Sequence, residues 1–306
     1  MLPAAPRERP RERSPRSPHL TKVPKGLQPL VEDGTVDRVI CQLRSGKEAT
    51  VYVVACGDEF LCAKVYKDAE RRSFQRAADY SEGRKSRNSR DQRAEGKRSR
   101  HGREVQQAAW KNAEIEALQR LENAGVRVPR PKFVHEGVLL MELLLDEGGE
   151  PAPRLNEVEL SQARALEWHA FMMQQIVRML CADVIHGDLS EFNVLVDSVG
   201  PVIIDLPQAV AATGNNHALR LLARDVENMG ATFSRYAPEL RGKKYARELW
   251  YLFESGNLRP DTVLTGIHDR VEARADVNAV LEEIEDARRE AEEREREKIR
   301  ERYGED

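Results

Sequence analysis

The chain has 306 residues and a formal net charge of -3, with 40% hydrophobic and 33% charged residues. This length and composition suit a two-lobed domain with tails, and they allow a sizeable core beneath a heavily charged surface. The longest apolar run, Val138–Leu145, is short and interrupted by Glu142, and the amino terminus lacks the apolar segment of a secretory signal. The four cysteines follow neither metal-ligand nor disulfide spacing. The sequence therefore predicts a cytoplasmic protein with reduced thiols and no membrane partner.

The first half of the chain begins with a basic tail and continues as short strands. Residues 1–25 are rich in arginine and proline, which predicts a disordered tail. Three runs rich in β-forming residues follow, and glycine-containing turns separate them, so we expect three antiparallel strands. These runs are Val39–Leu43, Val51–Ala55 and Phe60–Tyr66. Residues 82–104 are again basic and lack apolar periodicity, which predicts a flexible insert.

A helix and a buried strand complete the first half. Apolar residues at helical spacing predict a helix from Glu104 to Ala124, with Gly125 as its stop signal. The apolar run Val138–Leu145 predicts a buried strand. The pair Gly148-Gly149 after it indicates a hinge between two lobes.

The second half is predominantly helical and carries one short hairpin. Long stretches of apolar periodicity predict the helices, and two short apolar runs around a turn predict the hairpin. The helices are expected at Leu160–Ala182, His217–Tyr236 and Arg241–Ser255, and the hairpin strands at Val194–Asp197 and Val202–Asp205.

This order of elements is a small β-rich lobe with one main helix, a hinge strand, and then a mostly helical lobe. It predicts an α+β, two-lobed protein-kinase-like fold. We expect the amino-terminal lobe over residues 26–145 and the carboxy-terminal lobe over residues 146–276. Residues 277–306 are predicted to form a charged helix, which lacks the apolar seam of a coiled coil.

The most specific chemical signal is the segment His186–Asn193, which precedes the first strand of the hairpin. Its spacing, H-x-D-L-x-x-x-N, is typical of a kinase catalytic loop. In that chemistry an aspartate, here Asp188, accepts the proton of the attacking hydroxyl, and an asparagine five residues later, Asn193, holds a metal ion. Asp205 ends the second apolar run, where a second metal-binding aspartate belongs. One such aspartate alone would be interpreted as a cap or turn residue, but the joint pattern favours a phosphotransferase site.

A phosphotransferase also needs a cation on the nucleotide phosphates. Lys64 lies in the third predicted strand with apolar residues on both sides, whereas Lys67 fits a solvated strand end. A lysine in a partly buried cleft needs a carboxylate partner, and the predicted helix offers two. Glu114 lies four residues before Leu118, on the packed face, so it is the preferred partner. Glu116 is the alternative, with the character of a surface charge.

Two segments offer candidate backbone contacts for a nucleotide. Ser45, Gly46 and Lys47 lie in the turn between the first two strands, where N–H groups, a hydroxyl and a lysine suit phosphates. One glycine in a hairpin turn is a weak signal, and the position one strand before the lysine strand strengthens it. The backbone around Glu142 and Leu144 is a candidate for pairing with adenine, although the edge of a core strand fits these residues nearly as well.

Together these segments resemble the RIO family, an atypical branch of the protein kinases. Ser45–Tyr52 resembles the family's substitute for the glycine-rich loop, and Ala63–Lys67 resembles its lysine strand. His186–Asn193 resembles its catalytic loop. Ile203–Val210 resembles its metal loop, in which Asp-x-x-Gln replaces Asp-Phe-Gly. The resemblance extends over roughly residues 39–251.

The resemblance implies an enzyme that uses ATP with Mg²⁺ (or Mn²⁺) to phosphorylate serine or threonine hydroxyls, including its own, and that can hydrolyse ATP. It also implies that Asp205 accepts phosphate transiently, although Leu206-Pro207 differs from the family's usual Val-Ser after the aspartate. Gly187 stands where ordinary kinases carry an arginine, and no Ala-Pro-Glu follows, so we expect no regulation through activation-loop phosphorylation. The protein substrate is not indicated by the sequence.

Two alternatives use the same residues. Small-molecule kinases of the aminoglycoside type share H-G-D-x-x-x-x-N followed by I-D, but Asp-Leu-Pro-Gln at 205–208 and the turn at 45–52 favour the RIO resemblance. The second alternative is an ATPase switch in the assembly of ribosomes or RNA–protein particles, a role that the resemblance implies for family members. The basic stretches 7–25 and 84–103 would then contact RNA phosphates, although solvated disorder fits them equally well.

Overall fold

The computed structural model describes residues 22–46, 49–67, 114–135 and 137–267. These residues form one lobe built on an antiparallel sheet and a second lobe built mainly on helices. The α+β, two-lobed architecture predicted from the order of elements is therefore confirmed.

Three predicted segments fall wholly or mostly outside the described residues. The basic tail 1–25 is described only from residue 22, and neither the insert 82–104 nor the charged helix 277–306 is described. The first part of the helix predicted from Glu104 is likewise outside the description. The predictions for these segments stay predictions.

Five strands form the sheet of the amino-terminal lobe, in the order β1-β2-β3-β5-β4, and each neighbouring pair is antiparallel. They are β1 (Arg38–Ser45), β2 (Ala49–Cys56), β3 (Glu59–Tyr66), β4 (Pro131–His135) and β5 (Val138–Glu142). The three strands predicted from alternating residues correspond to β1, β2 and β3. Strand β4 was not predicted, because proline argues against a strand. Pro131 is nevertheless tolerated as the first residue of an edge strand, where a missing N–H costs little.

Strand β5 ends at Glu142, three residues before the predicted end at Leu145. The next residues leave the sheet, because the Leu144 carbonyl accepts a hydrogen bond from the Ala152 N–H (2.9 Å). The predicted hinge Gly148-Gly149 forms a tight turn, in which the second glycine adopts a φ of 78°. The segment that joins the lobes therefore begins directly after Glu142.

The main helix of the amino-terminal lobe is described over residues 114–123 (α2). Gly125 ends this helix as predicted. It adopts a φ of 72°, and the following Val126 N–H donates to the Leu121 carbonyl at 3.0 Å, as in a Schellman-type helix end. The buried apolar residues of α2 are Ala117, Leu118 and Leu121. Their spacing directs one face of the helix into the core, and Glu114 begins that face.

The carboxy-terminal lobe contains the predicted helices and hairpin with small changes in their bounds. Its described helices are α3 (Gln162–Cys181), α4 (Ala218–Ser234) and α5 (Tyr245–Glu254). A short helix, α1 (Gln28–Glu32), precedes the sheet of the other lobe. The hairpin consists of β6 (Val194–Val196) and β7 (Pro201–Ile203). Helix α5 begins four residues later than predicted, because Gly242 adopts a φ of 73° that a helix does not allow.

A continuous apolar core connects the two lobes. It includes Leu118 of α2, Leu139 of β5, Met172 of α3, Leu189 beside the hairpin and Ile203 of β7. The loops that carry the predicted catalytic residues are therefore fixed to close-packed elements on both sides. Among the helices within the described ranges, none combines the length and the apolar character needed to cross a membrane.

Candidate active site

The predicted catalytic loop is held in place by one buried aspartate from α4. The two carboxylate oxygens of Asp225 accept hydrogen bonds from the N–H of Gly187 (2.7 Å) and of Leu189 (2.9 Å). These N–H groups flank Asp188, so the backbone of the loop is fixed while the Asp188 residue itself is exposed. Burial raises the pKa of Asp225 to about 6, although the charge of His186 and the two backbone hydrogen bonds act to lower it.

The same loop is joined to the segment that follows β7. The Ile204 N–H donates to the Asn193 carbonyl (3.0 Å), and the Ile204 carbonyl lies 3.0 Å from Nε2 of His186. The Asn193 side chain donates from Nδ2 to the carbonyl of Asp188 (2.8 Å). Three predicted residues of the loop and the residue before Asp205 therefore form one hydrogen-bonded unit.

Asp205 lies two residues beyond the end of β7 and adopts a φ of 67°. This left-handed conformation is uncommon for a residue other than glycine and is concentrated at functional sites. The carboxylate accepts a hydrogen bond from Lys64 Nζ at 2.7 Å. Burial acts to raise the pKa of Asp205, but the charge and hydrogen bond of Lys64, with smaller contributions from His186 and Arg154, lower it. Asp205 is therefore held as a carboxylate that faces the cation.

Lys64 is the cation at the centre of the site. Its Nζ donates to Oε1 of Glu114 at 2.6 Å, in addition to Asp205. Burial acts to lower the pKa of Lys64, but the two carboxylates more than offset that effect and raise it well above its ordinary value. Glu114 is buried, whereas Glu116 is exposed, so the predicted choice between the two agrees with the contact that the structure contains.

The turn between β1 and β2 is described only in part, because Lys47 lies outside the described residues. The Gly46 N–H donates to the Ala49 carbonyl (2.9 Å), which closes the turn. The Ser45 hydroxyl lies 3.2 Å from the hydroxyl of Thr50. Lys67, interpreted from the sequence as a solvated lysine, donates to the Gly46 carbonyl (2.6 Å) and to Ser45 (3.0 Å). Lys67 therefore supports the turn from outside the ion-pair cluster.

The two residues predicted near adenine differ in their surroundings. The Glu142 N–H donates to the Arg130 carbonyl at 2.9 Å, and its side chain pairs with the guanidinium of Arg130. Partial burial acts to raise the pKa of Glu142, but hydrogen bonds and charge from Arg130 lower it. Leu144 is buried beside the cleft, beyond the end of β5.

A cleft of about 630 Å³ lies between the lobes, and most of the predicted residues border it. Its lining includes Gly46, Lys64, Glu114, Glu142, Leu144 and Asp205. Ser45, Asp188 and Asn193 lie outside this lining. Asp188 and Asn193 are connected to it through the Ile204 backbone, while Ser45 contacts Thr50 and Lys67.

Two residues of the site were missed by sequence reasoning. Asp225 interrupts the apolar face of α4, four residues before Met229 and four after Leu221, and an acidic residue on a buried stripe is a usable signal. Tyr66 follows Lys64 by two positions on β3, so strand alternation places both side chains on one face. The Tyr66 hydroxyl donates to Oε2 of Glu114.

The donors in the cleft suit a nucleotide with a magnesium ion. Mg²⁺ prefers oxygen ligands and is commonly held by one or two carboxylate or amide groups together with substrate phosphates. Asn193 and Asp205 provide such groups. Within the described ranges no cluster of three or more His, Cys, Asp and Glu side chains is arranged to hold a metal on its own. The residues present therefore fit a metal that is shared with phosphates.

Comparisons with known proteins identify the family. The profile of the RIO domain matches residues 50–246. The RIO-type serine/threonine-protein kinase Rio1 of Haloferax volcanii is 34% identical over 214 residues, which cover 70% of this chain and 69% of that protein. The serine/threonine-protein kinase RIO1 of Caenorhabditis elegans is 31% identical over 210 residues, covering 67% of this chain but only 38% of the worm protein.

A solved structure supports the fold. The Rio2 kinase of Chaetomium thermophilum, determined as an ADP/Mg²⁺-phosphoaspartate complex, matches with a TM-score of 0.55 at 20% identity. The match covers 87% of this chain and 75% of that one, which establishes the shared two-lobed kinase fold. With the profile and the relatives, it shows that the chain belongs to the RIO family of serine/threonine-protein kinases.

Proposed function

We propose that this protein transfers the γ-phosphate of ATP, with Mg²⁺, to a serine or threonine hydroxyl of a protein, including its own chain. The observation that carries the proposal is the contact of Lys64 Nζ with Glu114 and Asp205 in a cleft adjoining the exposed Asp188. Phosphoryl transfer depends mainly on positioning and on electrostatic stabilisation. The site offers a fixed cation, two candidate metal ligands and an exposed carboxylate for positioning and for electrostatic stabilisation.

Each residue has a distinct task in this proposal. Asp188 accepts the proton of the substrate hydroxyl as its oxygen bonds to the γ-phosphorus and the bond to the ADP oxygen breaks. Asn193 and Asp205 would hold magnesium, whose positive charge would offset that of the phosphates. Lys64, held by Glu114, contributes its remaining N–H to a phosphate oxygen.

The outer parts of the cleft would bind the rest of the nucleotide. Gly46, with Ser45 and Lys47 in the same turn, covers the phosphates, and the backbone of Glu142 and Leu144 pairs with adenine. We place the amino-terminal lobe at residues 26–145 and the carboxy-terminal lobe at 146–276. The protein is proposed to act in the cytoplasm.

Asp205 is also the candidate for a transient aspartyl-phosphate. In this proposal its carboxylate oxygen attacks the γ-phosphorus, the bond to the ADP oxygen breaks, and water later releases phosphate. The half-exposed side chain of Asp205 and its contact with Lys64 Nζ at 2.7 Å support the proposal. The Rio2 kinase of Chaetomium thermophilum, which shares this fold, was determined as a phosphoaspartate complex.

The test is transfer of labelled γ-phosphate from ATP with magnesium, to the protein itself and to a generic basic protein. Wild type is measured beside Asp188→Ala and Asp205→Ala, with Asp261→Ala as the control for loss of an exposed carboxylate. Loss of a catalytic base costs on the order of 100-fold or more, and Asp205→Ala removes one of the two proposed metal ligands. Both variants should therefore lose labelling, and the control should keep it.

The chemistry of the label separates the alternatives. Acid-stable label supports transfer to serine or threonine, and hydroxylamine-labile label that disappears in Asp205→Ala supports the aspartyl-phosphate. Wild type that binds ATP and releases phosphate without labelling any protein would contradict the proposed transfer. An ATPase switch that binds RNA through the basic segments 7–25 and 84–103 would then explain the site.

A further inference from the structure

The carboxylate of Glu114 is held at both oxygens by side chains from one strand. Lys64 Nζ donates to Oε1 at 2.6 Å, and the Tyr66 hydroxyl donates to Oε2. Both donors belong to β3 and are separated by two positions, so strand alternation places them on the same face. In addition to the apolar packing of α2, the carboxylate of Glu114 therefore connects this helix to two side chains of β3.

Burial makes the second anchor necessary. Glu114 is 2% exposed, and a carboxylate removed from water is costly unless its oxygens receive hydrogen bonds. Burial and the charge of Glu114 both raise the pKa of Tyr66 above its ordinary value, so the phenol keeps its proton and acts as a donor. Without this hydroxyl, Oε2 would have to find another donor in the cleft.

Lys64 is itself a donor to the same carboxylate. A lysine ammonium has three N–H groups, and here one contacts Glu114 and one contacts Asp205. The third N–H is left for a phosphate oxygen. Because Tyr66 satisfies Oε2, Glu114 does not need a second N–H from Lys64, which preserves that donor for the nucleotide.

The ring and the hydroxyl of Tyr66 have separable roles. The ring packs against the core that connects the lobes, and its centroid lies 5.5 Å from Lys64 Nζ. Phenylalanine would keep both of these contacts and remove only the hydroxyl. A change caused by Tyr66→Phe is therefore attributable to the hydroxyl rather than to packing, and a Glu114 variant background then tests whether the bond with Glu114 is responsible.

We propose that Tyr66 is a positioning residue whose hydroxyl fixes Glu114, so that Lys64 and helix α2 are in place before the nucleotide binds. This inference rests on the proposed phosphotransfer function, which assigns Lys64 to the phosphates. The Tyr66 hydroxyl would then be a third group, besides the lysine and the glutamate, that sets the position of Lys64.

The experiment compares Tyr66→Phe with Tyr52→Phe, a partly buried tyrosine on β2 that packs against a different apolar cluster. Hydrogen–deuterium exchange of residues 114–123 is measured without nucleotide, and kcat and KM for ATP are measured with magnesium. Tyr66→Phe should accelerate exchange in α2 about tenfold and lower kcat/KM about tenfold, as expected for loss of a hydrogen bond to a buried charge. Tyr52→Phe should change neither.

The same substitution is repeated in a Glu114→Gln background. If Tyr66 acts through Glu114, its effect should shrink strongly there, because glutamine leaves one neutral acceptor oxygen for the two donors that share the Glu114 carboxylate. Equal effects in both backgrounds, or a Tyr66→Phe variant indistinguishable from Tyr52→Phe, would overturn the proposal. Wild type that fails to transfer phosphate would refute the proposed function instead, while the exchange measurement would still test the attachment of α2.

Discussion

The two sides of the cleft are stabilised by different kinds of contact. On the carboxy-terminal side, Asp225 and Ile204 hold the catalytic loop through hydrogen bonds to its backbone. On the amino-terminal side, Lys64 and Glu114 are held by contacts between side chains that lie 50 positions apart. A backbone-anchored loop has one geometry, whereas a side-chain cluster can exchange partners when a ligand enters.

This difference matches the tasks proposed for the two sides. The carboxylate of Asp188 must be placed accurately for a proton transfer, and small displacements of reacting groups are costly. Lys64 instead contacts Asp205, the residue to which the proposed function assigns the metal. Glu114 then remains as the partner of Lys64, so the lysine keeps a counter-charge throughout.

The largest effect is expected from breaking the backbone anchor. Asp225→Ala leaves the N–H groups of Gly187 and Leu189 without their acceptor, at about 1–3 kcal/mol for each buried group. We therefore expect unfolding to become easier by about 2–6 kcal/mol, together with loss of phosphotransfer. Urea unfolding followed by circular dichroism gives the first quantity, and labelling from ATP at a temperature where the variant is folded gives the second.

Asp225→Asn is the matched variant, since it keeps one carbonyl oxygen and the side-chain volume. It should retain one of the two hydrogen bonds and lie between wild type and Asp225→Ala in both measurements. An alanine variant with the stability and activity of wild type would show that the loop does not depend on this anchor.

The sequence was more informative about the catalytic loop than about its anchor. The loop residues are contiguous, so their spacing alone indicates their roles, and Asp205 follows on the next strand of the hairpin. Asp225 lies 36–38 positions away from the groups that it holds. The sequence shows only that Asp225 lies on the apolar face of α4. That position does not reveal which groups Asp225 binds.

On the amino-terminal side, the spacing of apolar residues predicted the strands β1, β2 and β3 and the buried face of α2. The phase of α2 relative to Leu118 was enough to prefer Glu114 over Glu116. Tyr66 was not predicted, because its role depends on a contact with Glu114, which lies 48 positions away in the sequence. Strand β4 was missed because its first residue, Pro131, is a strand breaker everywhere except at such edge positions.

An intermediate effect is expected from breaking the side-chain pair. Glu114→Gln removes the negative charge that balances Lys64 but keeps an acceptor of the same size, and Asp205 still contacts the lysine. We expect a loss of stability of about 1–3 kcal/mol, below the 3–5 typical of removing the sole partner of a buried charge, and a lower kcat/KM for ATP. Thermal unfolding measures the loss of stability, and steady-state kinetics measure kcat/KM for ATP.

Glu116→Gln provides the control on the same helix, two positions away and exposed. It should leave stability and kinetics at the wild-type level, because an isolated exposed charge contributes little. Equal losses in both variants would mean that the charge of the helix, rather than the contact with Lys64, is what matters.

A smaller effect, visible mainly in acid, is expected from a buried histidine that belongs to neither side of the cleft. His169 of α3 is 2% exposed, and its ring centroid lies 5.9 Å from that of Phe233 and 4.9 Å from that of Tyr245. Its buried Nε2 has no hydrogen-bond partner among the residues that the structure describes. Burial lowers the pKa of His169 to about 4 from 6.5. The unfolded chain therefore binds the proton more readily, and stability should fall as the pH drops from about 6.5 toward 4.

Asp225 acts in the opposite direction over part of this range. Its pKa is raised from 3.8 to about 6, so the folded state holds the proton more tightly and stability falls as the pH rises through that interval. The pH dependence of wild type alone therefore combines two opposing slopes. The difference between wild type and a His169 variant isolates the histidine.

His169→Phe is the variant that tests this, since phenylalanine suits the aromatic neighbours and removes the unpartnered nitrogen. At pH 7.5 it should match or slightly exceed the stability of wild type. At pH 5 the advantage should grow by about 2 kcal/mol, which is the cost of keeping His169 neutral across that interval. Urea unfolding at the two pH values measures the change, and an advantage independent of pH would mean that His169 is already charged, or solvated, in the folded protein.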